Sequence, residues 1–327
     1  MKTRPKMNHS GSIQLDSARA MAAGLPHMLG FHPRESLVCL WLRDAALVVA
    51  QRADLPPKTD IDKREYLQAY FASAAHVQAD EVAVLIVSQA DSGIECLVEG
   101  LQELLPVPCR TILHIKGAQV RELVGQDHTW QWIDPHTRQE VSRGFDGPDP
   151  ELSRDRIEVE CDADPDAYAA MGRYAPNDKS AVRDLQHELL GHVDQVPHTQ
   201  HPGLIDDRLI RDAVAQVPGR DAVLRVAASL ASEPRQALLE SLLRCTRATP
   251  AGFAGNIAAA TGVVAWLCGD GVRANIALDR SLRDEPDNTL GLVLEGTLRM
   301  GVPPHEVAKM LCEVPWKEIV GSTRRSA

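Results

Sequence analysis

Apolar residues in this 327-residue chain change rhythm once, and the change divides the molecule. Early on, Leu37-Val38-Cys39-Leu40-Trp41-Leu42 is an unbroken apolar run, the signature of a strand buried on both faces. Arg43 and Asp44 predict a tight turn, Ala46 to Ala53 a returning strand, and Pro56 and Pro57 its end. Val82 to Val87 (VAVLIV) carries the strongest strand pattern, and further strands are predicted at Arg110–Ile115, Val120–Val124 and Thr129–Ile133. Helical stripes separate them. Ile61, Tyr66, Leu67, Tyr70, Phe71 and Ala74 recur at three- and four-residue spacing behind a cap at Thr59 or Asp60. Ile94, Leu97, Leu101 and Leu104 do the same within Gly93–Leu105. Ahead of the strands, Asp16 or Ser17 caps a short helix through Ala23, which Gly24 and Pro26 should end. Strand, helix, strand order with buried strands implies a right-handed crossover. The expected fold class is α/β, with a mixed, partly parallel sheet and flanking helices over residues 16–135.

The rhythm then breaks. Asp134-Pro135, Gly144, Gly147-Pro148 and Asp149-Pro150 crowd turn formers into a charged stretch over residues 134–160, read as an exposed insertion or linker. From Asp164 onward the pattern is almost entirely helical, with helices near 165–172, 178–190, 205–216, 220–231, 234–246, 251–268, 271–285, 289–300 and 303–313. The organisation expected is a disordered start (1–15), the α/β domain (16–135), an insertion or linker with helices (136–204), a helical region (205–316) and a tail (317–327). Within the helical region, Gly262, Gly269, Ala274 and Pro286 match the small and breaker positions of a tetratricopeptide repeat. Small residues let two antiparallel helices approach closely, and Pro ends the pair. Ala265 stands where that repeat usually has an aromatic residue. The helical region is therefore expected to be tetratricopeptide-like.

Composition narrows the function classes. A net charge of −10 argues against nucleic-acid or anionic-membrane binding, which needs a positive surface. The seven cysteines show no close CxxC spacing, so they read as reduced, mostly buried thiols rather than a disulfide framework. The start MKTRPKMNHSGS lacks the apolar core of a signal peptide, and the longest apolar run, Ile257 to Cys268, falls short of the roughly 20 residues that span a membrane. A soluble, cytoplasmic protein is expected.

Candidate chemistry is sparse. His187-Glu188-Leu189-Leu190-Gly191-His192 looks like a zincin helix, but His187 and His192 are five residues apart and do not share a helical face. If Gly191 breaks the helix, His192, His198 and His201 become candidate ligands for zinc or nickel on one loop; no cofactor is otherwise expected. Arg52 and Asp54 alternate onto one face at a strand end, where they can pair with each other or hold a ligand. Asp178 can cap a helix whose free N–H groups favour an anion, with Arg173 beside it. No phosphate loop, GxSxG elbow or EF-hand loop is present in the sequence.

The stretch Leu25–Pro57 (LPHMLGFHPRESLVCLWLRDAALVVAQRADLPP) joins a helix end, a Gly-Phe-x-Pro-x-x-Ser turn, two strands and an Arg-x-Asp-Leu-Pro close. In that order it resembles the opening of an actinobacterial family known as domain of unknown function 4192. The likeness covers nearly the whole chain, most specifically residues 25–57 and 262–304, and extends to Gly172-Arg173 with the polar turn after it. The resemblance implies no reaction. It makes Gly30, Phe31, Pro33, Ser36, Arg52 and Asp54, with Arg173, the transferable candidates for a ligand pocket. Relatives carry a Cys-rich Pro/Gly segment after the Trp-bearing strand, but Trp130–Pro150 here has no Cys, which weakens any metal or redox role for it. Lacking a complete catalytic set, the chain is expected to be a non-enzymatic interaction protein whose helical region binds a protein partner. The alternative is a ligand-binding protein or enzyme with a pocket at the sheet edge.

Overall fold

The apolar run Leu37–Leu42 forms β1 (Ser36–Arg43), buried everywhere except Arg43. It is buried because it lies inside a sheet. In the computed structural model, which describes residues 17–57, 60–72, 74, 77–125, 129–133, 153–172 and 206–313, six strands stand in the order β2-β1-β3-β4-β5-β6. They are β2 (Ala46–Asp54), β3 (Glu81–Val87), β4 (Cys109–Lys116), β5 (Gln119–Val124) and β6 (Thr129–Ile133) beside β1. Only β3 and β4 pair in parallel; the other neighbours are antiparallel. The sheet is mixed and partly parallel.

The helices follow from side-chain alternation. Leu37, Cys39, Trp41, Val82, Val84, Ile86 and Ile112 face one way, onto α2 (Asp60–Ala72) and α3 (Ile94–Leu104), whose Leu67, Phe71, Leu97 and Leu101 complete that core. Val38, Leu40, Leu42, Leu85 and Leu113 face the other way and are equally buried. There α1 (Ala18–Leu29) packs on β4, with Met21 and Leu25 inside. The Ser17 hydroxyl caps α1 by accepting from the Ala20 N–H at 3.2 Å. The helix outruns the expected stop at Ala23, passing through Gly24 and Pro26 and ending at Gly30, where φ is 75°. Burial of its Ala, Leu and Met face outweighs the one backbone bond that Pro26 removes. The caps expected at Thr59 and Asp60 involve side chains outside the described residues.

The second compact unit begins at Asp155. Its described helices are α4 (Arg154–Cys161), α5 (Pro165–Met171), α6 (Asp207–Val214), α7 (Val217–Ser229), α8 (Ser232–Arg247), α9 (Gly255–Leu267), α10 (Gly271–Asp284), α11 (Thr289–Arg299) and α12 (Pro304–Glu313). Helix α4 lies within the stretch expected as an insertion or linker with helices, and it is not among the helices located from the sequence. Only Ile157 and Cys161 of α4 are buried, too few to show as a periodic stripe. The helix expected at 178–190, the start at 1–15 and the tail at 317–327 lie outside the described residues.

Helix α9 is the hub. It is apolar all round, and Ile257, Ala258, Ala260, Val264 and Ala265 are buried against α7, α8, α10 and α12. A Cβ on Gly262 would stand 3.1 Å from the Ala274 carbonyl, so α9 and α10 approach closely at that point. Several polar groups inside this packing are partnered: Thr246 and Thr261 share a hydroxyl bond of 2.8 Å, and the Arg280–Asp284 pair at 2.9 Å is almost wholly buried, whereas Arg211 Nη1 is buried without a hydrogen-bond partner. Among the described residues, no helix is long and apolar enough to cross a membrane.

The β1–β2 turn provides a direct test. Asp44 and Ala45 both occupy the left-handed region, with φ of 51° and 60°, as a two-residue hairpin turn requires. A side chain in that region costs roughly 1–2 kcal/mol, and the flexibility of glycine returns part of it. Ala45→Gly is therefore expected to raise unfolding stability by about 0.5–1 kcal/mol, read from urea denaturation. A lower stability would contradict this turn geometry.

Candidate functional site

Register places a row of residues across one end of the sheet: Asp54, Ser36, Val87, Ile115, Val120 and Ile133 stand side by side. This is where parallel β3 and β4 end, the location at which open α/β sheets commonly bind ligands. Because β1 runs against β3, its start meets the end of β3 here. Two polar groups form, one on each face.

On the first face are three of the sequence candidates. Arg52 pairs with Asp54 and donates from Nε to the Ser36 hydroxyl at 3.0 Å, and that hydroxyl donates to the Arg34 carbonyl at 2.6 Å. Ser36 is fully buried and Asp54 is exposed. The guanidinium is already committed to neighbouring strands and holds the hairpin end closed. Gly30 caps α1, and Phe31 is buried beside it. Arg173 and the histidines His192, His198 and His201 lie outside the described residues. Among the described residues, no three metal-ligating side chains converge.

The second face carries residues that the sequence reading did not single out. His114 is buried at the end of β4, and Arg121 of β5 is its cross-strand partner. Arg121 donates from Nε to His114 Nδ1 at 2.9 Å, which puts the imidazole proton on Nε2, facing the Ser88 carbonyl at 3.3 Å. The guanidinium lies 4.6 Å from the Trp130 ring centroid, a cation–π contact, and His114 meets that indole edge-on. Asp91, on the loop from β3 to α3, accepts from Lys116 Nζ and stands 3.6 Å from Arg121 Nη2. Nη2 is buried and has no partner at hydrogen-bond distance.

Glu35 ties the ends of β1 and β3 together. It has a left-handed backbone (φ 41°), and its carboxylate accepts from Ser88 Oγ at 3.0 Å and the Gln89 N–H at 2.9 Å. The strain at Glu35 is held by this clamp. Electrostatics follow the same geometry. The Lys116 ammonium holds the Asp91 carboxyl below its usual range. Burial first, and the Arg121 charge second, push the His114 imidazole below its ordinary value. The end of β4 thus presents two cations bridged by one exposed loop carboxylate. Such a pair of cations can exchange that carboxylate for another anion.

A cleft of about 750 Å³ in the helical unit is lined by Asp164, Met171, Asp207, Arg244 and Arg247 among the described residues. Its arginines are matched: Arg247 meets Asp164 and Arg244 meets Asp207, both at 2.7 Å. The cysteines only partly follow expectation. Cys39, Cys161 and Cys245 are buried, and burial pushes the Cys39 and Cys161 thiols up to about 12. Cys96, Cys109 and Cys312 are exposed.

The His114 environment predicts a pH dependence of stability. Folded His114 resists protonation, so as the pH falls below its ordinary value of 6.5 the unfolded chain takes up the proton first. Stability from this group is whole above that value and declines in acid. His114→Gln keeps one donor and one acceptor without titrating. It should show a smaller loss of urea midpoint between about pH 7.5 and about pH 5.5 than the parent. Equal losses would contradict the burial of a neutral imidazole.

No curated protein and no solved structure is significantly similar to the chain. The model of a family described as a domain of unknown function (DUF4192) matches residues 19–305, from α1 of the sheet unit to the start of α12. The chain belongs to the DUF4192 family.

Proposed function

We propose that this protein binds a small anionic ligand at the carboxyl end of β3 and β4. One observation carries the reading: Lys116 and Arg121 converge on a single carboxylate from an exposed loop, while Arg121 Nη2 is buried with no hydrogen-bond partner. A buried guanidinium nitrogen left without a hydrogen bond is costly, and an oxygen of an incoming anion would satisfy it. His114 and Trp130 hold the guanidinium from the side and the face, so the cation is positioned before a ligand arrives. Arg52 and Asp54 have a supporting role here, keeping the neighbouring strand ends together.

Inorganic phosphate is a suitable first probe. It should raise the melting temperature of the full chain, and Lys116→Gln should weaken phosphate binding about tenfold, since a hydrogen bond to a charged group contributes ~1.5–3 kcal/mol. Lys116 is partly exposed, so its replacement leaves the core intact. No phosphate effect, or an identical effect in the variant, would remove the reading.

A second reading places a protein partner on the helical region, as the lack of a complete catalytic set suggested. It is favoured by α11, where Leu292 and Val293 are exposed. A Cβ on Gly296, one turn further along α11, would meet nothing within 4 Å. Leu292→Asp combined with Val293→Asp should release a partner captured by the parent while leaving the circular dichroism unchanged. Retention of the same partners would exclude this surface.

A further inference from the structure

We infer that the anion held by Lys116 and Arg121 is the phosphate of a nucleoside monophosphate whose base stacks on Trp132; the inference rests on the anion-binding reading above. Trp132 is the direct cross-strand partner of Arg121, so both side chains leave the sheet on the same face. Trp130, two positions earlier on β6, points the same way, and its ring is already engaged by Arg121 and His114. Trp132 is 63% exposed, on the last strand of the sheet order and across from Arg121.

An exposed aromatic ring across the strand from Arg121, with Lys116 further along β4, presents two kinds of contact. The indole offers an apolar face on which any planar base can stack. Lys116 and Arg121 Nη2 offer charge to an anion, and two cations match a doubly charged phosphate better than a carboxylate. The register sets the spacing between the two. Trp132 stands in the row of His114 and Arg121, and Lys116 lies two residues further along β4. A ring at one end and a phosphate at the other, joined by a sugar, has that shape. The chain's net charge of −10 and the smallness of this basic spot fit a free nucleotide and not a polynucleotide. Asp91, exposed on its loop, occupies the phosphate position and would swing away on binding.

The test is calorimetric titration of the full chain with adenosine 5′-monophosphate, ribose 5-phosphate, adenosine and benzoate. The expected result is that the nucleotide binds about tenfold tighter than ribose 5-phosphate, a usual worth for one base on one aromatic ring. Trp132→Ala should reduce the nucleotide to the level of ribose 5-phosphate and leave ribose 5-phosphate itself unchanged. Trp132→Phe should restore most of the difference. Because Trp132 is exposed, none of these changes disturbs the core. If ribose 5-phosphate binds and needs Lys116, but the nucleotide gains nothing from Trp132, the base is not there and only the anion site stands. If benzoate alone depends on Trp132, the ligand class is wrong. If none of the four binds, the inference and the anion reading fall together.

Discussion

The polar end of the sheet depends on one constraint, the antiparallel seating of β1 against β3. With Ser36 opposite Val87, the start of β1 lies where β3 ends. Glu35 can then clamp Ser88 and Gln89, and the loop carrying Asp91 sets out from a fixed point. The parallel pairing of β3 with β4 brings His114 and Lys116 to the same end, and the short turn at Gly117 returns β5 with Arg121 opposite His114. Moving β1 by one residue would exchange its two buried faces, sending Leu37, Cys39 and Trp41 away from α2 and α3 and onto the α1 side, so packing and the polar end are set by the same register.

Within the polar end, cost and purpose are coupled. An imidazole and a guanidinium are held in a largely apolar setting, and each is tolerated because the other completes its hydrogen bonding. The arrangement keeps His114 neutral and Arg121 aimed. What stays incomplete is one guanidinium nitrogen, beside a loop carboxylate that reaches only part of the way. The helical unit also leaves a guanidinium nitrogen, Arg211 Nη1, buried without a hydrogen bond, while several of its other buried polar groups are met by neighbours. Its core is built from Ala, Val and Leu, and its buried Thr246, Thr261, Arg280 and Asp284 are satisfied inside the packing.

The strands and most helices were legible because burial leaves a period. The runs at Leu37–Leu42 and Val82–Val87 and the stripe Leu67, Tyr70 and Phe71 all lie in the core. Misreadings came where the period was weak or overridden. Helix α4 buries too few residues to show, and α1 continues through Gly24 and Pro26 because packing outweighs local propensity. The candidate site was legible in position only. Arg52, Asp54 and Ser36 stand at the same end of the sheet as the proposed site, and the structure spends them on one another. The better signal was a histidine inside the strand pattern Thr111-Ile-Leu-His114-Ile-Lys116, a titratable group at a core position, followed by an arginine across a tight turn.

The sequence by itself determined which segments are buried and at what period, and therefore the order of strands and helices, since water excludes apolar side chains whatever the final fold. Only the tertiary structure decided which polar residues meet. His114, Arg121, Asp91 and Trp130 come from three strands and a loop, and strand pairing is what joins them. Side-chain chemistry acts over a few ångströms, and separation along the chain does not report it. The residues that could hold a ligand could be recognised only after the sheet had closed.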